Sequence, residues 1–171
     1  MIARRVLTLV VFAALSACAH GGPIVERAFP LDFALIQVVE VQPEQGAPMS
    51  FLASLRRQGS DFELTLLDPI VQRPLYEAHT KEGRLIETRP LPEEARGLGA
   101  LLFGALRQLF ESDRFEQREA GLRFTGSRFE FEFEPWPDDA ACPFPAEIRM
   151  WTRGSPKLRA VAKTEDIACG G

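Results

Sequence analysis

The side chains that most often perform acid–base or metal chemistry are sparse in this sequence of 171 residues. His20 and His79 stand alone, and His79, near the end of a predicted strand, fits a surface or hydrogen-bonded residue better than a general base. Glu130, Glu132 and Glu134 alternate along a strand, and two such carboxylates have the separation of about 5 to 9 Å that glycoside hydrolysis uses. An exposed strand face explains the same pattern. Motifs for zinc proteases, serine hydrolases and phosphate loops are absent, so the sequence predicts no enzyme, cofactor or metal site.

The remaining chemistry belongs to the cysteines, and the first of them, Cys18, follows a segment with the features of a secretory signal. Arg4 and Arg5 precede an apolar run over residues 6–15, which is too short to span a bilayer at roughly 20 residues. Positive charge, an apolar run and small residues before a cleavage point are the three parts of a signal peptide. Residues 1–17 are therefore predicted to direct export and to be removed.

The four residues Leu15-Ser16-Ala17-Cys18 resemble the lipobox of bacterial lipoproteins, in which the cysteine is acylated and becomes the new N-terminus. The resemblance implies that membrane lipid holds the protein through acylated Cys18, by several chains because one alone binds only marginally. Since Ala19 is not aspartate, sorting as in enterobacterial lipoproteins implies the periplasmic face of the outer membrane. The alternative is an ordinary signal peptide cut near Ala17 or Ala19, with Cys18 incidental.

Length and charge limit the number of domains and the classes of partner that the mature chain can have. Removing residues 1–17 leaves 154 residues, enough for one domain, and takes the formal net charge from −4 to −6 because Arg4 and Arg5 are lost. An acidic surface argues against nucleic acid as a partner. Residues 18–30, with Gly21-Gly22-Pro23, are predicted to form a tether of at most roughly 40 Å, and residues 31–171 the domain.

Cys142 and Cys169 form an even pair in a compartment where disulfides persist. No Cys-x-x-Cys motif or cysteine–histidine cluster supports a redox or metal site, so the sequence predicts a structural disulfide. It would join the C-terminal tail to a proline-rich loop that carries Trp136, Phe144 and the Asp138-Asp139 pair. That acidic pair is predicted to be a solvated turn.

Period-two alternation predicts ten short strands, five before and five after a single helix. The first candidate has apolar residues on both faces, which suggests a strand covered on both sides for part of its length. Short connections between successive candidates predict an antiparallel meander. The ten candidates are residues 32–42, 49–58, 62–66, 71–80, 84–89, 114–118, 122–125, 128–134, 147–153 and 157–164.

A helical period replaces the alternation from Pro92 to about Ser112. Pro92 and the two glutamates after it suit the first turn of a helix. Gly97, Gly99 and Gly104 weaken this helix, and they either leave room for a ligand or allow the helix to pack closely on the sheet, which is the favoured interpretation. One face carries an apolar stripe, formed by Leu98, Leu101, Leu102, Ala105, Leu106 and Leu109.

The composition is rich in phenylalanine, with thirteen Phe against one Tyr and two Trp, and therefore predicts an apolar interior. A sheet of this size tends to curl, and one helix cannot cover it flat. The predicted fold is mainly β, in the α+β class, with a strongly curved antiparallel sheet or half-open barrel of about ten strands wrapped around one long helix. The helix stripe and a phenylalanine-rich strand face would enclose a ligand cavity lined by Leu98, Leu101, Leu102, Leu106, Leu109, Phe129, Phe131 and Phe133.

The order of elements from Met49 to about Phe110 resembles a poorly characterised family of LolB-like outer-membrane lipoproteins. The resemblance is carried by the hairpin, Leu66-Leu67-Asp68-Pro69-Ile70-Val71, Gly83-Arg84-Leu85, Pro90-Leu91-Pro92 and the leucine-rich helix. It implies a half-open antiparallel barrel with a helical lid that receives acylated cargo, and some members are associated with polyene pigment pathways.

The same resemblance singles out one loop residue. In LolB an apolar side chain protrudes from a loop carrying Asn-Pro-Leu-Gly and is used to insert cargo into the membrane. The matching stretch here is Asp68-Pro69-Ile70-Val71, which makes Ile70 the candidate, although aspartate replaces asparagine and Val71 replaces glycine. The residues alone are equally consistent with Ile70 as an inward-facing anchor of the turn.

Two functions follow from these features. The first is a membrane-anchored lipoprotein that binds or carries an acylated or polyene-type molecule to or within the outer membrane, by burial rather than by catalysis. The second is a structural or assembly lipoprotein whose interior is filled by its own side chains and which acts through a protein partner that the sequence does not identify.

Overall fold

The computed structural model describes residues 22–95, 97–136 and 140–170. Cys18, His20 and the Asp138-Asp139 pair lie outside the described residues. Within these ranges the chain is mostly β, with eleven strands in one antiparallel sheet and one short α-helix. The strands are β1 Ile24–Glu26, β2 Asp32–Pro43, β3 Met49–Gln58, β4 Asp61–Leu67, β5 Pro74–Lys81, β6 Arg84–Arg89, β7 Arg114–Arg118, β8 Gly121–Thr125, β9 Phe129–Phe133, β10 Glu147–Thr152 and β11 Leu158–Cys169.

The sheet is open, with the order β1-β7-β8-β9-β10-β11-β2-β3-β4-β5-β6. The runs β2 to β6 and β7 to β11 are meanders, which the short connections predicted. The last strand joins them, because β11 pairs along its length with β2 from Leu158 opposite Pro43 to Cys169 opposite Phe33. The sheet is not closed into a barrel, and β1 and β6 are its edges.

Strand β1 lies in the segment that the sequence predicted as tether. Ile24–Glu26 pairs with β7, and Val25 stands opposite Phe115. Three residues are too few for alternation to be recognised in a sequence, and their partner strand lies about ninety positions away along the chain. The connection between Cys18 and the sheet is therefore shorter than predicted.

The helix α1 spans Leu98–Phe110, so the long helix predicted from Pro92 to about Ser112 is wrong at its N-terminal end. The residues before it form a single 3-10 turn, Glu93–Ala95. Gly97 then adopts a left-handed conformation with φ of 87°, which a continuous right-handed helix cannot contain. One helix of 13 residues covers the inner face of the sheet.

The sheet must curve around α1. Phe131 on β9 and Leu66 on β4 line one narrow cavity, yet five strand intervals separate them, which is about 24 Å in a flat sheet. Alternate residues of β2, β3 and β4 are buried and face the helix, as the period of two predicted. On the opposite face Ile36 is 39% exposed, so β2 is not covered on both sides there.

Aromatic rings fill one part of the interior. The ring of Phe29 lies 4.8 to 5.3 Å from those of Trp136, Phe110 and Phe144, measured between centroids. The loop that carries Trp136 and Phe144 is joined to the end of β11 by the predicted disulfide between Cys142 and Cys169, with 5.5 Å between Cα atoms. We call this set of rings the aromatic cluster: Phe29, Phe33, Phe110, Phe115, Phe133, Trp136 and Phe144.

Candidate functional site

An apolar cavity lies between α1 and the inner face of the sheet. Its volume is about 30 Å³, which accommodates two or three water molecules and is far below the several hundred Å³ of a typical ligand site. Every lining side chain is hydrocarbon or thioether, so the cavity offers no hydrogen bond to water. The lining residues are Val39, Ala53, Leu64, Leu66, Leu102, Leu106, Phe131, Ile148, Met150, Ala160 and Ala162.

Small side chains on adjacent strands leave this space beneath α1. Ala162 on β11 stands opposite Val39 on β2, and Ala160 on the same strand stands opposite Met150 on β10. Because alanine ends at its Cβ, the sheet surface at these positions stays distant from the leucines of the helix. The aromatic cluster has large rings at the equivalent inward positions and leaves no such space.

Three of the predicted cavity residues line the observed cavity: Leu102, Leu106 and Phe131. Phe133 instead belongs to the aromatic cluster, where its ring stacks on Trp136 with 6.0 Å between centroids and an angle of 10° between planes. The remaining predicted residues belong to the core or pack against it without lining the cavity: Leu98, Leu101, Leu109 and Phe129.

The sheet contributes nine of the lining residues, and sequence reasoning missed all of them except Phe131. Alternation places each of them on an inward face, but it does not reveal which strands are neighbours. Ala160 and Val39 come together only through the pairing of β11 with β2, which are more than a hundred residues apart in sequence. No local pattern encodes that pairing.

The N-terminal half of α1 is seated by close contact between Gly99 and Tyr76. A Cβ atom built on Gly99 would lie 2.2 Å from the ring of Tyr76, so only glycine allows this approach. Gly104 has no neighbour within 4 Å of such an atom. Close packing of the helix on the sheet, rather than room for a ligand, therefore explains the glycine at position 99. Burial, with the Glu87 carboxylate as a smaller cause, raises the pKa of the Tyr76 phenol well above its ordinary value.

The C-terminal end of α1 is held by Arg57, an inward-facing residue of β3. Its Nη1 donates a hydrogen bond of 2.6 Å to the carbonyl oxygen of Phe110, the last residue of the helix, and one of 3.3 Å to that of Pro30. Its Nε donates to the carbonyl oxygen of Gly59 at 2.9 Å. A cation at this end also complements the helix dipole. Burial lowers the pKa of Arg57, while the carboxylates of Glu111 and Asp32 oppose that shift.

Arg57 was also missed from the sequence, although its position carried a signal. It has the same parity on β3 as Leu55, and residues of one parity share a face of the sheet. An arginine among inward-facing residues is unusual enough to indicate a specific polar partner.

The loop between β4 and β5 presents Ile70 and Val71 to solvent, with exposures of 88% and 68%. Asp68 organises the loop, because one of its carboxylate oxygens accepts hydrogen bonds of 2.9 Å from the N–H groups of both residues. These bonds, that to Val71 first, lower the pKa of Asp68. Ile70 is therefore not an inward anchor of the turn, and its role in binding cargo or membrane stays a prediction.

An apolar strip on the outer face of the sheet leads to this loop. Val38, Leu52 and Leu67 stand opposite one another on β2, β3 and β4, and each is partly exposed. Leu67 is the last residue of β4, directly before the loop. The strip and the loop thus join into one apolar surface, although most of this outer face is polar.

Two of the three glutamates that suggested hydrolysis lie beside arginines. Glu130 forms an ion pair with Arg123, and Glu132 stands between Arg123 and Arg149 on neighbouring strands. His79 is half-buried on the outer face opposite Glu63. In the described part of the chain no three His, Cys, Asp or Glu residues are arranged to hold a metal ion. Among the same residues, no helix has the length and apolar character needed to cross a bilayer.

Comparison with known proteins gives similarities among solved structures only. No family model matches the sequence, and no curated protein matches it. Among solved structures the chain is similar to a LolA superfamily protein from Nitrosomonas europaea, with 10% identity over 84% of this chain and 89% of that chain and a TM-score of 0.49. This similarity assigns neither a function nor a site residue, so the LolB-like assignment stays a prediction.

Proposed function

We propose that this protein is a lipoprotein of the outer membrane, anchored through acylated Cys18, which binds an acylated or otherwise apolar molecule between α1 and the sheet. The observation that carries the proposal is the wholly apolar cavity beneath a single helix. Two features support the rest of it: the lipobox-like residues at Cys18 and the exposed apolar loop at Ile70.

The small cavity means that a guest enters only if α1 moves away from the sheet. The helix is attached near its ends, by the contact of Gly99 with Tyr76 and by the hydrogen bond from Arg57 to Phe110. Between them, Leu102, Ala105 and Leu109 are buried in the core, so a guest must replace these apolar contacts with its own. Displacement of α1 would open an apolar groove and would break the hydrogen bonds from Arg57 to Phe110 and from Arg107 to the carbonyl oxygen of Gly83.

Burial of an acyl chain supplies enough free energy for useful affinity. Sixteen buried methylene groups contribute roughly 13 kcal/mol. The lower estimate for the cost of association is about 4 kcal/mol, which leaves micromolar binding before the cost of displacing α1 is subtracted. The apolar surface around Ile70 and Val71 would then contact the membrane or the cargo during transfer.

The decisive experiment measures displacement of a fluorescent fatty acid from the mature chain carrying Cys18→Ser. Ala162→Leu, which fills the cavity, should weaken binding at least tenfold, whereas Val161→Leu, on the outer face of the same strand, should leave it unchanged. Overpacking at Ala162 can cost about 1–3 kcal/mol, so the unfolding transition of each variant is measured alongside. Equal binding by the two folded variants, or no binding by the parent chain, refutes the proposal.

The volume of only about 30 Å³ also favours a second candidate function, that of a structural or assembly lipoprotein acting through a protein partner. In that case the interior is simply core. Phe131→Ala would destabilise the fold by roughly 3–5 kcal/mol, and no acyl ligand would copurify with the parent chain. Mass spectrometry of organic extracts of the purified protein distinguishes the two functions.

A further inference from the structure

The N-terminal segment is fastened to the sheet from Gly22 onward. Gly22 donates its N–H to Oε1 of Glu116 at 2.7 Å, and the N–H of Gln117 donates to the carbonyl oxygen of Pro23 at 2.8 Å. After β1, the N–H of Arg27 donates to the carbonyl oxygen of Asp113 at 2.8 Å. Hydrogen bonds therefore hold the residues before β1 to β7, and the residue after β1 to Asp113, which directly precedes β7.

Gly22 itself is fitted against β7. A Cβ atom at this position would lie 1.8 Å from the carbonyl oxygen of Gln117, so any larger residue would push the chain away. The hydrogen bond from Gly22 is also the main reason that the pKa of Glu116 is lowered. Close backbone contact and a specific polar partner both fix the chain at Gly22.

Only four peptide units separate Cys18 from this fixed point. Four units span at most about 14 Å, against roughly 40 Å for the tether predicted through residue 30. The following inference rests on the proposed acylation of Cys18. We infer that the edge of the sheet formed by β1, β7 and β8 is the membrane-facing surface of the protein, with Gly22 held within about 14 Å of the lipid headgroups.

The chemistry of this edge is compatible with a phospholipid surface. Residues 22–26 and 114–125 contain three acidic and three basic side chains, while the mature chain carries a net charge of −6. A balanced edge avoids the repulsion that anionic headgroups exert on an acidic protein. Ile24 on β1 adds an apolar side chain that is 55% exposed.

The test uses the full chain purified with its native N-terminus and placed in vesicles of phosphatidylethanolamine and phosphatidylglycerol. A fluorophore is attached at Ala120→Cys, in the exposed turn between β7 and β8, and a short-range quencher is carried on lipid headgroups. We expect strong quenching. A matched protein has 20 Gly/Ser residues inserted between His20 and Gly21, which adds roughly 25 Å of root-mean-square reach. We expect it to lose at least half of the quenching.

A third variant, Gly22→Val, tests the attachment without changing the length of the chain. Valine should detach β1 from β7 and reduce quenching at the same label, and circular dichroism confirms that the remaining sheet is folded. If mass spectrometry shows acylated Cys18 but the label is equally quenched with and without the insertion, or is not quenched, this inference is overturned while the proposed function stands. Unacylated Cys18 overturns both.

Discussion

Replacing Arg57 by methionine removes the guanidinium beneath the C-terminal end of α1 and keeps most of the apolar stem. The side chain is 7% exposed and donates to three backbone carbonyl groups. Hydrogen bonds to a charged group contribute about 1.5–3 kcal/mol each, and a carbonyl left without a partner when buried costs about 1–3 kcal/mol. Its cation also lies 5.2 Å from the ring centre of Phe62, which adds roughly 0.5–1 kcal/mol.

The cost of burying the guanidinium opposes these gains, and for buried charges it amounts to several kcal/mol. Desolvation is also the largest cause of the lowered pKa of Arg57. We therefore expect Arg57→Met to lower the free energy of unfolding by about 2–4 kcal/mol rather than by the sum of the separate contributions. For a chain of this size, 3 kcal/mol corresponds to a fall in Tm of roughly 6–12 °C.

The adjacent residue provides a matched control. Arg56 lies on the same strand but faces solvent, so Arg56→Met should change the free energy of unfolding by less than about 0.5 kcal/mol. Urea denaturation measures both variants, and amide hydrogen exchange of α1 reports whether its last turn opens more often when Arg57 is lost. Equal destabilisation by the two substitutions, or a gain in stability from Arg57→Met, would refute the assigned role of Arg57 in holding the helix.

Three further outcomes are expected. In α1, Gly104→Ala should stabilise the protein by about 0.5–1 kcal/mol, whereas Gly99→Ala should destabilise it because its Cβ would meet an aromatic ring on the sheet; thermal unfolding compares the two. Replacing Cys142 and Cys169 by serine opens a loop with a sequence separation of 27 and should cost roughly 3.5 kcal/mol, measured in urea. The folded-state pKa of Asp68 is lowered, so its two loop hydrogen bonds should be intact above about pH 4 and lost as the pH falls through that lower pKa. Asp68→Ala should produce the same loss at neutral pH, and amide exchange of the loop measures both.

Most strands were predictable because burial repeats with the period of the sheet. Phe129, Phe131 and Phe133 alternate with glutamates in the sequence and are all buried in the structure. The disulfide was predictable because Cys142 and Cys169 form an even pair with no metal or redox motif near them. The start of α1 was not predictable from the sequence. Pro92 and the glutamates after it suit the first turn of an α-helix, but they suit a 3-10 turn equally well. Gly97, treated in the sequence as a weak point inside the helix, is where α1 begins.

The cavity could be predicted only in part. The helical period identified the leucines that face the sheet, but the size of the space depends on which small residues lie opposite them. Ala160 and Ala162 look unremarkable in the sequence, and their importance arises from a strand pairing that no local pattern indicates. The exposure of Ile70 depends on two hydrogen bonds that the Asp68 carboxylate accepts from the loop, and an Asp-Pro turn alone does not reveal in which direction the next side chain points.

The pairing of β2 with β11 has a consequence for how the chain acquires its structure. Strand β2, in the middle part of the sheet, is synthesised early and finds one of its two neighbours only near the end of the chain, in Leu158–Cys169. Contacts so distant in sequence slow folding and leave one long edge of β2 unpaired until β11 has been synthesised. A truncation that removes residues 158–171 would therefore expose the middle of the sheet rather than trim its end.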